Sequence, residues 1–187
     1  MEFINDDCVD KYLTKSESCT KCVNYIECLT SNLDAEQKRI IIKSSHFKKH
    51  PDIIMSFAND DDRNVKTYLA KSPVLSYCPA AINVLLSSND WFVKEMLANN
   101  IALATCPEAT LSLAKENNFQ IKKFLADNPA ISECHEAATL LAKDDDRFVR
   151  ELLAENPVIK QFPDIVEILS KDNCKTVKSI LKENLSH

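Results

Sequence analysis

The chain has 187 residues, 45% of them apolar, with a formal net charge of -5 and a pI near 5.4, enough apolar content to bury a core as one domain or as a repeat array. It contains no glycine, which excludes the Walker-A loop, the Rossmann G-x-G-x-x-G turn and the G-x-S-x-G nucleophile elbow, because each needs backbone at positive φ or close to a phosphate. The acidic balance argues against a nucleic-acid backbone as the main partner, since duplex binding leaves a basic footprint.

The first seven residues, Met1 to Asp7, are acidic and lack the basic n-region and apolar stretch of a signal peptide. No apolar run reaches the length of a membrane span. The expectation is a soluble, cytoplasmic protein without a membrane partner. Cys8, Cys19, Cys22 and Cys28 follow at the spacing C-x10-C-x2-C-x5-C. Four thiols this close in sequence can converge on one metal centre, and a reducing compartment leaves them as ligands more often than as disulfides. Three readings stand side by side: an iron-sulfur cluster on four thiolates, a structural Zn²⁺ in tetrahedral thiolate geometry, or no metal. Structural zinc usually draws on two C-x2-C pairs, and only Cys19 and Cys22 make one here. Lys11, Lys15 and Lys21 lie among them and read as solvated surface cations.

From about Leu33 the chain repeats itself every 28 residues without insertion. The first half of each unit recurs at 61–73, 89–101, 117–129 and 145–157, and its best-formed copy is Asp145-Asp146-Arg147-Phe148-Val149-Arg150-Glu151-Leu152-Leu153-Ala154-Glu155-Asn156-Pro157. The second half is marked by Pro51, Pro79, Pro107 and Pro163, with His135 in the place of the missing proline. A half-unit, Asn173 to Asn184, ends the series. Val149, Leu152 and Leu153 are spaced i, i+3, i+4, as are Val65, Tyr68, Leu69 and Ile121, Phe124, Leu125, so each first half predicts a helix with one apolar face. Asp or Asn caps its start and Asn-Pro stops it. The second half predicts another helix, with proline and an acid in its first turn at Pro107-Glu108 and Pro163-Asp164, and with Leu113, Ala114, Leu141 and Ala142 facing inward.

A unit of two short helices cannot bury its own apolar face, so copies must stack and share a core, which makes the expected fold all-α: an α-solenoid of 28-residue two-helix repeats. Leu69, Leu97, Leu125, Leu153 and Leu181 would form its spine, with Ala70, Ala98, Ala126 and Ala154 at close helix approaches. The domain division is a small metal-binding segment, 1–32, and a repeat region, 33–187, of about five repeats and a terminal half-repeat.

The signature Asp-x-x-Val-Arg-x-x-Leu-Ala-x-Asn-Pro, present at residues 146 to 157 with one residue of slack at the Asp, resembles the leucine-rich repeat variant family. That resemblance covers residues 33–187. It implies a right-handed array of alternating α and 3₁₀ helices and an N-terminal cysteine cluster holding a [4Fe-4S] centre, which would fall on Cys8, Cys19, Cys22 and Cys28. The family's repeats are shorter than 28 residues, so a longer second α-helix is expected here in place of its 3₁₀ turn.

Cys78, Cys106 and Cys134 occupy one repeat position, with His50 and Phe162 in the flanking units. Phe162 in the same column points to a buried apolar slot, where free cysteine acts as a small hydrophobe. Cys174 lies near a helix start and is expected to be exposed without a role. Lys38, Lys66, Lys94, Lys122, Arg150 and Lys178 form a basic column. Asp34, Asp62, Asp90 and Asp146 each precede one of them by four residues, which predicts local i,i+4 pairs that stabilise the repeats. His46, His50, His135 and His187 are scattered, and Cys134-His135-Glu136 aligns with Cys106-Pro107-Glu108, so no catalytic constellation is read.

The resulting expectation is a non-enzymatic iron-sulfur protein in which the cluster segment caps a scaffold for an unidentified protein partner. The cluster would serve redox or oxygen sensing, or electron transfer. The alternatives are a zinc-stabilised binding scaffold and a helical-repeat nucleic-acid binder.

Overall fold

A computed structural model describes residues 33–45 and 47–186; the expected segment 1–32, with Cys8, Cys19, Cys22 and Cys28, lies outside the described residues, as do His46 and His187. The chain divides into two compact units, Met1–Val93 and Lys94–His187.

The described residues are helical and contain no strand. In the first unit the helices α1 (Ala35–Lys43), α2 (Pro51–Ala58), α3 (Arg63–Ala70) and α4 (Pro79–Leu86) alternate with 3₁₀ helices at Phe47–Lys49 and Pro73–Tyr77. Helix α5 (Trp91–Ala98) crosses the boundary in sequence. The second unit continues with α6 (Pro107–Ala114), α7 (Phe119–Asp127), α8 (His135–Ala142), α9 (Arg147–Glu155), α10 (Pro163–Ser170) and α11 (Lys175–Ser186), and has 3₁₀ helices at Ile101–Thr105, Pro129–Glu133 and Pro157–Gln161.

Each 28-residue repeat is therefore α, 3₁₀, α, and the two-helix unit expected from sequence is corrected to three. The residues after Asn-Pro do not form a plain stop. Proline, or Ile101 in one repeat, opens a new helix, proline by fixing φ, and the Asn or Ser before it caps that helix. Ser72 accepts from the Val74 N–H (3.3 Å), Asn100 from Ala102 (2.9 Å), Asn128 from Ala130 (2.9 Å) and Asn156 from Val158 (3.2 Å). Five residues in 3₁₀ form are near the length limit of that geometry, so the chain turns again at once. The second α-helix is the one expected from sequence, eight residues long with proline at its start in α2, α4, α6 and α10.

The first helix of each repeat opens on a capping side chain. Asp34 and Gln37 form a reciprocal capping box in α1. Asp62 accepts from the Asn64 N–H, Asp90 from Phe92, Asn118 from Gln120 and Ile121, and Asp146 from Phe148. The absence of glycine has a structural counterpart: among the described residues none has positive φ. The first helices open on a side-chain cap and the second helices directly follow the 3₁₀ turn without one, and neither kind of start uses the left-handed region.

Helices of eight or nine residues are too short to persist alone in water, and packing has to hold them. In the first unit α1 packs on α3, α2 on α4, and the two 3₁₀ helices on each other. In the second unit α9 lies between α7 and α11, α8 between α6 and α10, and the three 3₁₀ helices stack in sequence. Equivalent elements therefore pack on equivalent elements, which is what a periodic apolar pattern requires. Leu69, Leu97, Leu125, Leu153 and Leu181 are all buried, and Ala70, Ala98, Ala126 and Ala154 are fully so. Leu113, Ala114, Leu141 and Ala142 are buried as expected. The i+3 column is different: Tyr68, Phe124 and Leu152 are only half-buried. Burying one leucine fully contributes about 1.5–3 kcal/mol, so this spine is a main source of stability.

Candidate functional site

The cysteines of the repeat region occupy structural positions. Cys78, Cys106 and Cys134 are buried, at 6–8% exposure, and each is the residue just before a second helix, with φ near -140° and ψ near 75°. The Sγ of Cys78 lies 3.9 Å from the Pro51 carbonyl and that of Cys106 3.9 Å from a Glu108 oxygen. The reading of these three as core holds. Cys174 is half-exposed rather than exposed. The Val177 N–H, with contacts to Thr176, holds its thiol below the ordinary value against the opposing effect of the nearby Glu151 carboxylate. Among the described residues no three His, Cys, Asp or Glu side chains converge as a metal site.

Four of the six cations of the basic column are neutralised, but by different partners from those the sequence suggests. Lys38 pairs with Asp60 at 2.5 Å, Lys94 with Glu116 at 2.5 Å, Lys122 with Asp144 at 2.6 Å and Arg150 with Asp172 at 2.6 Å. Each acid lies 22 residues ahead of its cation, at the start of the next repeat. The expected i,i+4 pairing is corrected: Asp34, Asp62, Asp90 and Asp146 are turned to their own helix N-termini as caps. Three of the four acids that receive the cations also receive backbone donors, Asp60 from the Asp62 N–H, Asp144 from Asp146 and Asp172 from Cys174. Burial works to raise the Asp172 carboxyl, but the hydrogen bonds from Arg150 and Cys174 and the charges of Arg150 and Lys178 outweigh it and hold it below the usual range. For Lys66 the equivalent position is Ser88, which has no charge to offer.

A second ladder was not visible in the sequence reading. The Asn128 amide donates to the carbonyls of Ala98 (2.8 Å) and Asn100 (3.0 Å), Asn156 to those of Ala126 (2.9 Å) and Asn128 (3.3 Å), and Asn184 to those of Ala154 (2.9 Å) and Asn156 (3.1 Å). The Ala98, Ala126 and Ala154 carbonyls lie at the ends of α5, α7 and α9, where intrahelical donors run out, and the Asn100, Asn128 and Asn156 carbonyls take the amide as a second donor beside the N–H of Leu103, Ile131 and Ile159. The recurrence of Asn at 28-residue intervals was the available signal, and it was read only as a stop.

His135 stands at a helix start in place of proline, as expected. Its Nε2 lies 2.9 Å from Asp164, and its ring meets Phe162 edge-on at 5.1 Å. The His135 hydrogen bond draws the Asp164 carboxyl below its ordinary value. Both side chains are more than half exposed. No nucleophile is placed with them.

One concavity stands out in the first unit, a cavity of about 730 Å³ between α1, the end of α3 and the two 3₁₀ helices. Four of its lining side chains are cationic, Arg39, Lys43, Lys48 and Lys71, and two are tyrosines, Tyr68 and Tyr77. Arg39 lies 5.8 Å from the Tyr68 ring centre and Lys48 5.4 Å from that of Tyr77. No carboxylate lines it among the described residues, although Arg39 is paired with Glu36 outside the wall.

The geometry defines an all-helical repeat protein whose charged columns are used internally. Among the described residues no helix is long and apolar enough to cross a membrane. Comparison with protein-family models, with curated proteins and with solved structures gave no match.

Proposed function

We propose that this protein is a helical-repeat scaffold, an α-solenoid, that binds a protein partner and carries a [4Fe-4S] cluster on Cys8, Cys19, Cys22 and Cys28. The scaffold half is supported by one observation above the others. Trp91, Phe119 and Phe148, each in the first turn of a first helix, are 56%, 39% and 46% exposed. Large aromatics left in solvent at helix starts, two of them, Trp91 and Phe119, at one repeat position, are the residue type enriched where proteins bind proteins.

The cluster half is supported by the spacing of the four N-terminal cysteines and by the resemblance of the repeat to the leucine-rich repeat variant signature. The other four cysteines are accounted for: three fill buried helix starts and Cys174 sits at the start of α11. A cluster on the first four would supply one-electron chemistry. The repeat region would dock a redox partner, or respond to loss of the cluster.

Iron, zinc and acid-labile sulfide analysis of protein purified without oxygen, with its visible spectrum, tests this. About four irons and four sulfides per chain are expected. One zinc and no sulfide would replace the cluster with a structural ion. Equal partner affinity with and without the metal would remove the sensing role.

A further inference from the structure

We propose that the cavity of the first unit is a binding site for a small phosphorylated ligand with a planar ring, of the class of a purine nucleotide. The proposal is independent of the metal centre.

Charge is the first argument. The chain is acidic overall, yet among the described residues this cavity gathers four cations and no lining carboxylate. The repeat makes the contrast specific. Lys43 and Lys71 stand at one repeat position, and the residues that follow at 28-residue steps are Asn99, Asp127, Glu155 and Glu183. The column runs from basic to acidic along the chain, and only its basic members line the cavity. Lys38, Lys94, Lys122 and Arg150 of the other column have carboxylate partners 22 residues on, whereas Lys43, Lys48 and Lys71 are exposed and line the recess, the Lys48 and Lys71 ammonium groups 5.4 and 5.9 Å from the Tyr77 and Phe92 ring centres. A concave wall of one sign concentrates counter-charge there.

Shape and chemistry narrow the ligand. The volume of about 730 Å³ lies in the range of small-molecule sites, roughly 300–1,000 Å³. Tyr77 is 59% exposed and offers a ring face, and Tyr68 forms a second aromatic surface. Aromatic faces stack on bases, and Lys43, Lys48 and Lys71 offer ammonium groups to phosphate oxygens, Arg39 being held by Glu36. An apolar ligand would leave the cations unused, and inorganic phosphate alone would leave both rings unused.

Calorimetry on the full-length protein with ADP, pyrophosphate and adenosine tests the site. ADP should bind saturably, and more tightly than either of the other two. The pair Lys43→Glu with Lys71→Glu should weaken ADP by at least about tenfold, roughly the loss of one good contact. A control pair with the same change of charge, Lys160→Glu with Lys175→Glu, should leave the affinity within about twofold. Tyr77→Ala should weaken ADP while leaving pyrophosphate unchanged. Circular dichroism melts of every variant establish that it is folded, and all four lysines replaced are exposed. Absence of saturable ADP binding, or equal weakening by the pocket and control pairs, would overturn the proposal. Pyrophosphate binding as tight as ADP, unaffected by Tyr77→Ala, would overturn the planar-ring requirement.

Discussion

The side-chain amide of Asn156 donates to the backbone carbonyl of Asn128, one 28-residue period earlier, at 3.3 Å, while its own oxygen accepts the Val158 N–H at 3.2 Å. One side chain thus caps its own 3₁₀ helix and ties it to the preceding repeat. Asn156 is buried, with 4% exposure, so water cannot replace either bond.

Asn156→Ala strips the side-chain partner from the Val158 donor and from the Ala126 carbonyl, and removes one of two donors from the Asn128 carbonyl, which keeps the Ile131 N–H; it should cost about 2–4 kcal/mol, each buried unpaired group costing about 1–3. Asn156→Asp should be worse than alanine, because a carboxylate would face two carbonyl oxygens. Urea unfolding of the three proteins measures the order, and an aspartate variant as stable as wild type would refute the ladder.

The Arg150–Asp172 pair gives an acid signature. The native Asp172 carboxyl titrates below its unfolded value, so its contribution is present above about pH 4 and is lost as pH falls through the native pKa. Asp172→Asn should therefore be less stable near pH 7 by about 2 kcal/mol, since it leaves the Arg150 charge partly buried without its partner. The gap should narrow toward pH 3. Thermal melts across that range are the measurement; a gap independent of pH would exclude the ion pair as its cause.

Glu95 behaves in the opposite sense. It is 6% exposed in α5, and burial raises its carboxyl above the ordinary value. A raised acid favours the folded state at low pH and costs stability as pH rises through the unfolded value. Glu95→Gln should raise the melting temperature above about pH 5 and lose that advantage below about pH 4. A variant less stable than wild type at neutral pH would show that the charge is being used.

Cysteine substitutions separate the two groups of thiols. Cys22→Ser should abolish the metal content, whereas Cys106→Ser should retain it and lower stability by about 1–2 kcal/mol, the usual cost of disturbing a buried position. The reverse pattern in metal analysis would overturn the division.

His135→Pro restores the residue found at the equivalent positions Pro107 and Pro163. It gives up an exposed, solvent-screened pair with Asp164 and gains a residue suited to the first turn of a helix. The unfolding midpoint should stay close to that of the wild type, readable by chemical denaturation.

The spine of leucines and alanines was legible because a helical face and a fixed period both write themselves into residue spacing. The proline starts of α2, α4, α6 and α10 were legible for the same reason. The 3₁₀ helices were not: Pro73 to Tyr77 is too short to show a period, and its cap, Ser72, reads equally well as the end of α3. Partner choice in the basic column was misjudged because Asp146 lies a helical turn from Arg150, while Asp172, its true partner, is brought near only by stacking. Asp146 accepts the Phe148 N–H at its own helix start while Arg150 reaches Asp172, so proximity in sequence did not decide. The cavity required knowing that Lys43, Lys48 and Lys71 share a recess, although the change of sign from Lys71 to Asp127 was visible in the column. The proposed ligands Cys8, Cys19, Cys22 and Cys28 rest on spacing and resemblance.

The ladder bonds of residues 94–187 can be written as differences of residue number: 22 for the ion pairs, 28 and 30 for the asparagine amides. A segment specified in this way has a phase. Losing one residue from a turn breaks only the bonds that span it, whereas duplicating 28 residues in frame carries a complete set of donors and acceptors into the new copy. Length can therefore change by whole units while every interface keeps its chemistry, and a repeat can vary its exposed positions without renegotiating how it is held.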